Sequence, residues 1–328
     1  MRATFDVADE ITAIDTRMVG RYLVTSAYLI GGAEPTLIET GPSTSFDAVL
    51  SGLEALGMGP NDLAHVVVTH VHLDHAGGVG TIAGAFPRAT IWVHERGAPH
   101  IADPTRLVAS TERTYGVDRV REMFGPVEPV AAERLRALKD GDKIDIGGRR
   151  LSAMYTPGHA SHHVALHDSR TGAVFVGDAL GVHLPDVGVL RPATPPPDFD
   201  EGLSCASIER IRERAELLLL SHFGPVAEVD QMCDLAGKRI RSWSHVVREA
   251  LELDDDVDRI TQLLEELGAS EYHEDPGQEL DMEKYDILSS IRTNAMGMIR
   301  YWKKVAEMGA ADLAEVPIAL PETPDQPS

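Results

Sequence analysis

Within one short segment, Thr69-His70-Val71-His72-Leu73-Asp74-His75-Ala76-Gly77-Gly78, four side chains able to bind a metal fall within six residues. The apolar run Ala64 to Thr69 leads straight into them, so the cluster begins where a buried strand ends. If the chain leaves that strand extended, His70 and His72 project to one side, while Asp74 and His75 lie past the bend and face a second point. Two neighbouring metals fit such a geometry. Imidazole with carboxylate suits zinc, iron or manganese, and a hydrolytic zinc centre keeps a coordination position for water. Further ligands must come from elsewhere, and candidates follow in order: His159 in Thr156-Pro157-Gly158-His159, Asp178 in Val176-Gly177-Asp178-Ala179, and His222 in Ser221-His222-Phe223-Gly224-Pro225. Each comes after an apolar, strand-like run, namely Leu151–Tyr155, Ala173–Val176 and Leu217–Leu220.

The other elements are read in the same way. Leu23–Ile30 and Thr36–Ile38 form a hairpin around a Gly31-Gly32 turn, and Ser45 to Leu56 has apolar residues at helical spacing. Thr90–Val93 is a strand ending at His94, Asp103 to Phe124 is helical, and the proline-rich stretch Arg191 to Phe199 is a stiff loop. From about residue 230 the strand signal ends, and Gln231 to Leu253, Val257 to Leu267 and Met282 to Met308 read as helices.

Composition narrows the function classes. The 328 residues include 52 acidic and 30 basic side chains, a net charge of −22, which repels phosphate backbones and opposes nucleic-acid binding. No run approaches the roughly 18 apolar residues of a membrane span. Met1 to Glu10 has no apolar signal region, so a cytoplasmic location is expected. Cys205 and Cys233 are read as incidental or buried thiols. Two basic stretches, Lys238-Arg239-Ile240-Arg241 and Arg300 to Lys304, are read as solvated helix faces.

The histidine loop and the later His, Asp and His resemble the metallo-β-lactamase-fold superfamily, in its glyoxalase II-like branch, across roughly residues 15–230. The resemblance implies an α/β fold: an αββα metallo-β-lactamase-type sandwich with a C-terminal helical extension. The expected division is a metal-binding catalytic domain at 1–230, the extension at 231–316 and a disordered tail at 317–328. It also implies that His70, His72 and His159 hold a first metal, that Asp74, His75 and His222 hold a second, and that Asp178 bridges them. Glu39 stands before Thr40-Gly41 where the family usually has Asp, and is expected to support the ligand loop.

The expected cofactor is a pair of divalent metals, zinc first, with iron or manganese as alternatives. A hydroxide shared by the metals would cleave an ester, thioester or lactone of a small molecule, with Asp74 and Asp178 as catalytic residues orienting the water. His183 and Arg191 are the expected substrate contacts. True β-lactamases of this fold lack the bridging aspartate, which turns the reading away from drug hydrolysis. Acyl-homoserine lactonases carry a tyrosine shortly after it, absent here between Ala179 and His183. Two rivals remain: a persulfide dioxygenase using one iron on His70, His159 and Asp178, and a metal-stabilised interaction protein without catalysis. The partner is a small-molecule substrate, with no nucleic acid and no membrane. The extension's apolar spacing at Ile240, Trp243, Val246, Val247 and Leu251 reads as packing on the parent domain, with a homodimer face as second choice.

Overall fold

Alternating burial along short β-branched strands builds two sheets. The structure, a computed structural model, describes residues 3–185, 189–272 and 282–313. The first sheet contains β1 (Thr4–Ala8), β2 (Ile11–Asp15), β3 (Ser26–Ile30), β4 (Thr36–Ile38), β5 (His65–Val67), β6 (Thr90–His94) and β7 (Leu135–Leu138), side by side in that order. Next come β8 (Lys143–Asp145), β9 (Arg150–Tyr155), β10 (Val164–Asp168) and β11 (Ala173–Gly177). A two-strand ribbon follows, β12 (Val182–His183) with β13 (Leu190–Arg191), then β14 (Leu217–Leu220) and β15 (Gly224–Val226). The second sheet has the order β15-β14-β11-β10-β9-β8.

Side-chain alternation explains why the strands at the centre are apolar throughout. In β11, Ala173 and Phe175 join Ile11, Tyr28, Ile38 and Val67 of the first sheet in one apolar layer between the sheets. Val174 and Val176 point the other way, into a layer shared with helices. Full burial of each such large side chain contributes roughly 1.5–3 kcal/mol.

The helices cover the outer faces. α1 (Phe46–Ala55), α2 (Leu73–Ala76), α3 (Val79–Ala85), α4 (Ala98–Ala102), α5 (Thr105–Tyr115) and α6 (Val117–Phe124) belong to the first half. Val49 and Leu53 of α1 and Ile82 of α3 pack on Leu37, Val66 and Ile91. α7 (Glu201–Arg212), α8 (Val229–Leu251), α9 (Val257–Tyr272), α10 (Met282–Leu288) and α11 (Ile291–Leu313) follow. Ile208, Ile240, Trp243, Leu264 and Met298 from these helices share one core with Val174, Val176, Leu218 and Leu220. The layers are therefore helix, sheet, sheet, helix, and the C-terminal helices pack directly on the second sheet.

Several boundaries differ from those read in the sequence, each for a local reason. β3 starts at Ser26, not Leu23, because Leu23 has a left-handed backbone (φ 57°) and its N–H is bound by the Asp15 carboxylate at 3.1 Å. The helical stretch 103–124 breaks at Gly116 into α5 and α6. The stretch 282–308 breaks at Ser289-Ser290, where the Ser290 hydroxyl accepts from Thr293 N (3.1 Å) and starts α11. The expected tail at 317–328 and His273 lie outside the described residues. No helix among them is long and apolar enough to cross a membrane.

Candidate metal centre

The ends of four strands and the start of one short helix deliver the metal-capable side chains to one place. β5 runs into Thr69 and His70, the N-terminus of α2 carries Asp74 and His75, and the loops after β9, β11 and β14 bring His159, Asp178 and His222. All seven expected ligands converge. His70, His72 and His159 form one group, and Asp74, His75 and His222 another, each with its candidate ligand atoms within 4.8 Å of one another. Asp178 stands between them: Oδ1 is 3.2 Å from both His75 Nε2 and His222 Nε2, while Oδ2 is 3.5 Å from His159 Nε2.

Whether these residues fit metal ions is decided by where their nitrogens point. The outer nitrogens are occupied: His159 Nδ1 donates to Ala193 O at 2.9 Å, His222 Nδ1 donates to Val24 O at 3.1 Å, and His70 Nδ1 lies 3.0 Å from Thr69 Oγ1. Those bonds turn the Nε2 atoms of His70 and His222 inward, while His159 Nε2 lies 2.9 Å from His72 Nδ1. His70 Nε2, His75 Nε2, His222 Nε2 and Asp178 Oδ1 are buried with no hydrogen-bond partner. Short separations without hydrogen-bond geometry mean that these atoms aim at common points and not at each other. Buried polar atoms are rarely left so, and the set fits divalent cations.

Electrostatics divide the two groups: His70 is held neutral, whereas Asp178 raises both His75 and His222 against the cost of burial. Burial, then the neighbouring His75 and His72, pushes His70 well below the usual imidazole range, so it is neutral, the form that binds metal. Burial opposes ionisation of Asp178, but His75, His222 and His159 outweigh it and hold the carboxyl well below its ordinary value. Burial likewise works against charge on His75, while Asp178 and Asp74 raise it.

A supporting layer lies beneath. Glu39 is fully buried, with a left-handed backbone (φ 63°) at the end of β4. Its carboxylate accepts from the Thr69 hydroxyl and from Ser221 Oγ (3.3 Å), and Oε1 lies 3.4 Å from His75 Nδ1. It thus ties the His70 loop to the His222 loop. His163, lowered by burial and so neutral, accepts from the Asp178 N–H at 3.2 Å. Gly177 must be glycine: its φ is +50°, and a Cβ there would overlap His163 Nε2 and Thr69 Oγ1.

A cavity of about 420 Å³ opens on His72, Asp74, His159 and Asp178. Neither expected substrate contact lines it. Arg191 is buried, its guanidinium bound to Asp286 Oδ1 (3.0 Å) and Ser289 O (2.9 Å) and laid over the Tyr285 ring, so it fastens the ribbon to α10. His183 instead serves through its backbone, donating to His222 O and accepting from Phe223 N, each at 3.0 Å. The residues that do line the cavity include Arg96, His100, Arg106, Arg113, Tyr115 and His162. The signal for α5 was present in the sequence, since Arg106, Ser110 and Arg113 fall at i, i+4 and i+7 on one helical face. Arg239, read as solvated, is buried and paired with Glu271. Cys205 and Cys233 are free thiols.

Fold and site define a metallo-β-lactamase-type protein. Residues 20–222 match the Metallo-beta-lactamase superfamily, and the chain belongs to it. It is similar to the metallo-beta-lactamase fold-containing protein ST1585 of Sulfurisphaera tokodaii, 27% identical over 62% of this chain and 74% of that one. The solved archaeal structure of ST1585 matches with a TM-score of 0.64 at 21% identity, covering 89% of this chain and 98% of that one. The acyl-coenzyme A thioesterase MBLAC2 of Gallus gallus is 33% identical over 38% of this chain and 44% of its own. YobT of Bacillus subtilis is 28% identical over 45% of this chain and 58% of its own. The matches to MBLAC2 and YobT thus span about half the length of those relatives.

Proposed function

We propose that the protein is a metal-dependent hydrolase of a small acyl compound, with a thioester or ester as substrate ahead of a lactone. The observation that carries this reading is the division of Asp178, one oxygen toward each histidine group, at the floor of an open cavity. The similarity to a thioesterase supports the thioester.

On this reading His70, His72 and His159 hold one divalent ion, Asp74, His75 and His222 a second, and Asp178 both. Zinc suits this donor set first, with iron or manganese as alternatives. Bound there, the ions supply Lewis acidity toward an acyl oxygen and lower the pKa of a water toward neutrality. The chain supplies the rest. Asp74 and Asp178 are ionised acceptors that hold a water's protons and fix its orientation beside the substrate. Tyr115 lines the cavity, and burial followed by the charge of Asp74 pushes its hydroxyl up to about 12. It therefore stays protonated and donates to a substrate oxygen. His162, pushed down to about 4 by burial, is neutral at the cavity wall and accepts from Val71 N at 3.4 Å.

Two observations weigh against the rivals. A mononuclear iron dioxygenase needs no second group, whereas Asp74, His75 and His222 are assembled. A purely structural metal would be closed in, whereas four of the seven residues line the cavity. The test is elemental analysis of protein purified without added metal, followed by thiol release from simple acyl thioesters. About two divalent equivalents with thioester or ester turnover is the expected result. One iron with oxygen uptake on a persulfide would overturn it in favour of the dioxygenase.

A further inference from the structure

The segment between β6 and β7 builds one wall of the cavity. From α5 come Arg106, Leu107, Ser110, Thr111, Arg113 and Thr114, and Arg96 stands just before α4. In a chain of net charge −22, three arginines gathered at one cavity offset the formal charges of Asp74, Asp178 and Asp198, which also line it. Arg106 and Arg113 are exposed and form no ion pair among the described residues. The Arg96 guanidinium lies over the Tyr155 ring, 5.7 Å from its centre, which presets the side chain without neutralising it. The carboxylates at the cavity are engaged elsewhere: Asp74 and Asp178 belong to the histidine groups, and Asp198 accepts from Ser161 N (2.9 Å) and Oγ (2.6 Å). Phe124, Ile287 and Leu288 give the same cavity an apolar side.

We propose that Arg96, Arg106 and Arg113 form a binding site for a negatively charged group of the substrate, so that the cavity takes an anionic acyl thioester or ester. The inference rests on the hydrolase reading for the bond that is cut, and on the cavity alone for the charge. Guanidinium forks pair with carboxylate and phosphate alike. Three guanidinium forks with no ion pair among the described residues, beside an apolar wall, suit a ligand with a hydrocarbon part and a charged end. A neutral substrate would leave that wall without a partner.

The test compares three thioesters on the metal-loaded full chain: butyryl-N-acetylcysteamine, which is neutral; butyryl-coenzyme A, with phosphates on the leaving group; and glutaryl-N-acetylcysteamine, with a carboxylate on the acyl group. One anionic thioester should be preferred by about tenfold in kcat/KM, a preference that shrinks as salt rises. The preferred arm tells phosphate from carboxylate. The exposed pair is changed together, R106A/R113A, and the anionic-to-neutral ratio should fall about tenfold, with R106K/R113K keeping part of it. Equal rates on all three thioesters, or a variant that lowers all three alike, would overturn the proposal.

Calorimetric binding of free coenzyme A and of glutarate separates this proposal from the hydrolase reading. Anion binding that R106A/R113A abolishes, with no thioester or ester turned over, removes the hydrolase and leaves the arginine site standing. Turnover without anion preference does the opposite.

Discussion

The His159 imidazole donates through Nδ1 to the carbonyl of Ala193, 2.9 Å away, and the loop carrying that carbonyl is held by the C-terminal helices. Buried Asn294 of α11 accepts from Thr194 N (2.8 Å) and donates to Pro192 O (2.8 Å) and Ser289 Oγ (2.7 Å). The extension thus holds the carbonyl that sets the tautomer of His159, a member of the candidate metal centre that lies over a hundred residues earlier in the chain. Asn294→Ala leaves buried donors and acceptors unpaired, and should cost about 2 kcal/mol or more in denaturant unfolding. It should also weaken metal binding about tenfold, measured by competition with a chromogenic chelator.

Asp178 serves both histidine groups, so its removal is felt at both. Asp178→Ala should lower metal content in elemental analysis and reduce turnover by about two orders of magnitude or more, with the circular dichroism spectrum retained. Wild-type turnover by a metal-depleted Asp178→Ala protein would refute the assignment.

Chelation should destabilise the wild type. A metal ion at 100 times its Kd contributes about 2.7 kcal/mol to folding, so Tm should fall on treatment with chelator and return on adding zinc. Asp178→Ala should show a much smaller difference.

Glu39 links Thr69, Ser221 and His75 at the base of the site. Glu39→Gln keeps the volume but removes the negative charge beside His75. We expect metal affinity to drop about tenfold, while Glu39→Asp keeps most of it.

Away from the candidate metal centre, Asp168 and Arg149 form a buried bidentate pair at 2.6 and 2.7 Å. Burial works against ionisation of Asp168, but Arg149 and Thr171 outweigh it and lower its pKa. A carboxyl lowered in the folded state stabilises the fold above its unfolded value of about 3.9, and that contribution is lost as pH falls through the lower, folded value. Tm against pH should therefore drop less between pH 5 and 2 for Asp168→Asn than for wild type, from a lower starting Tm.

Much of the site was legible because its ligands are local in sequence or follow strands. Strands buried on both faces must be continuously apolar, so each run ending in His or Asp marks a loop at the edge of the sheets, as β5, β11 and β14 show. The first hairpin, β1 with β2, was not read, because its strands are short and only half-buried on β1. His162 and His163 stand adjacent in the chain, yet one lines the cavity and the other lies under Asp178.

Arg191 shows the limit most plainly. A lone arginine beside a proline loop reads as a ligand contact, and only the arrival of Asp286 and Ser289, 95 and 98 positions further along the chain, turns it into a buried clamp. The sequence by itself determined the metal-capable residues and the apolar strand and helix runs, since ligand chemistry and apolar periodicity are local properties of the chain; the layered arrangement was implied by the family resemblance those residues carry. Tertiary structure decided which nitrogens face inward, how Asp178 divides its oxygens and which arginines line the cavity, because those depend on contacts between segments whose separation along the chain carries no orientation.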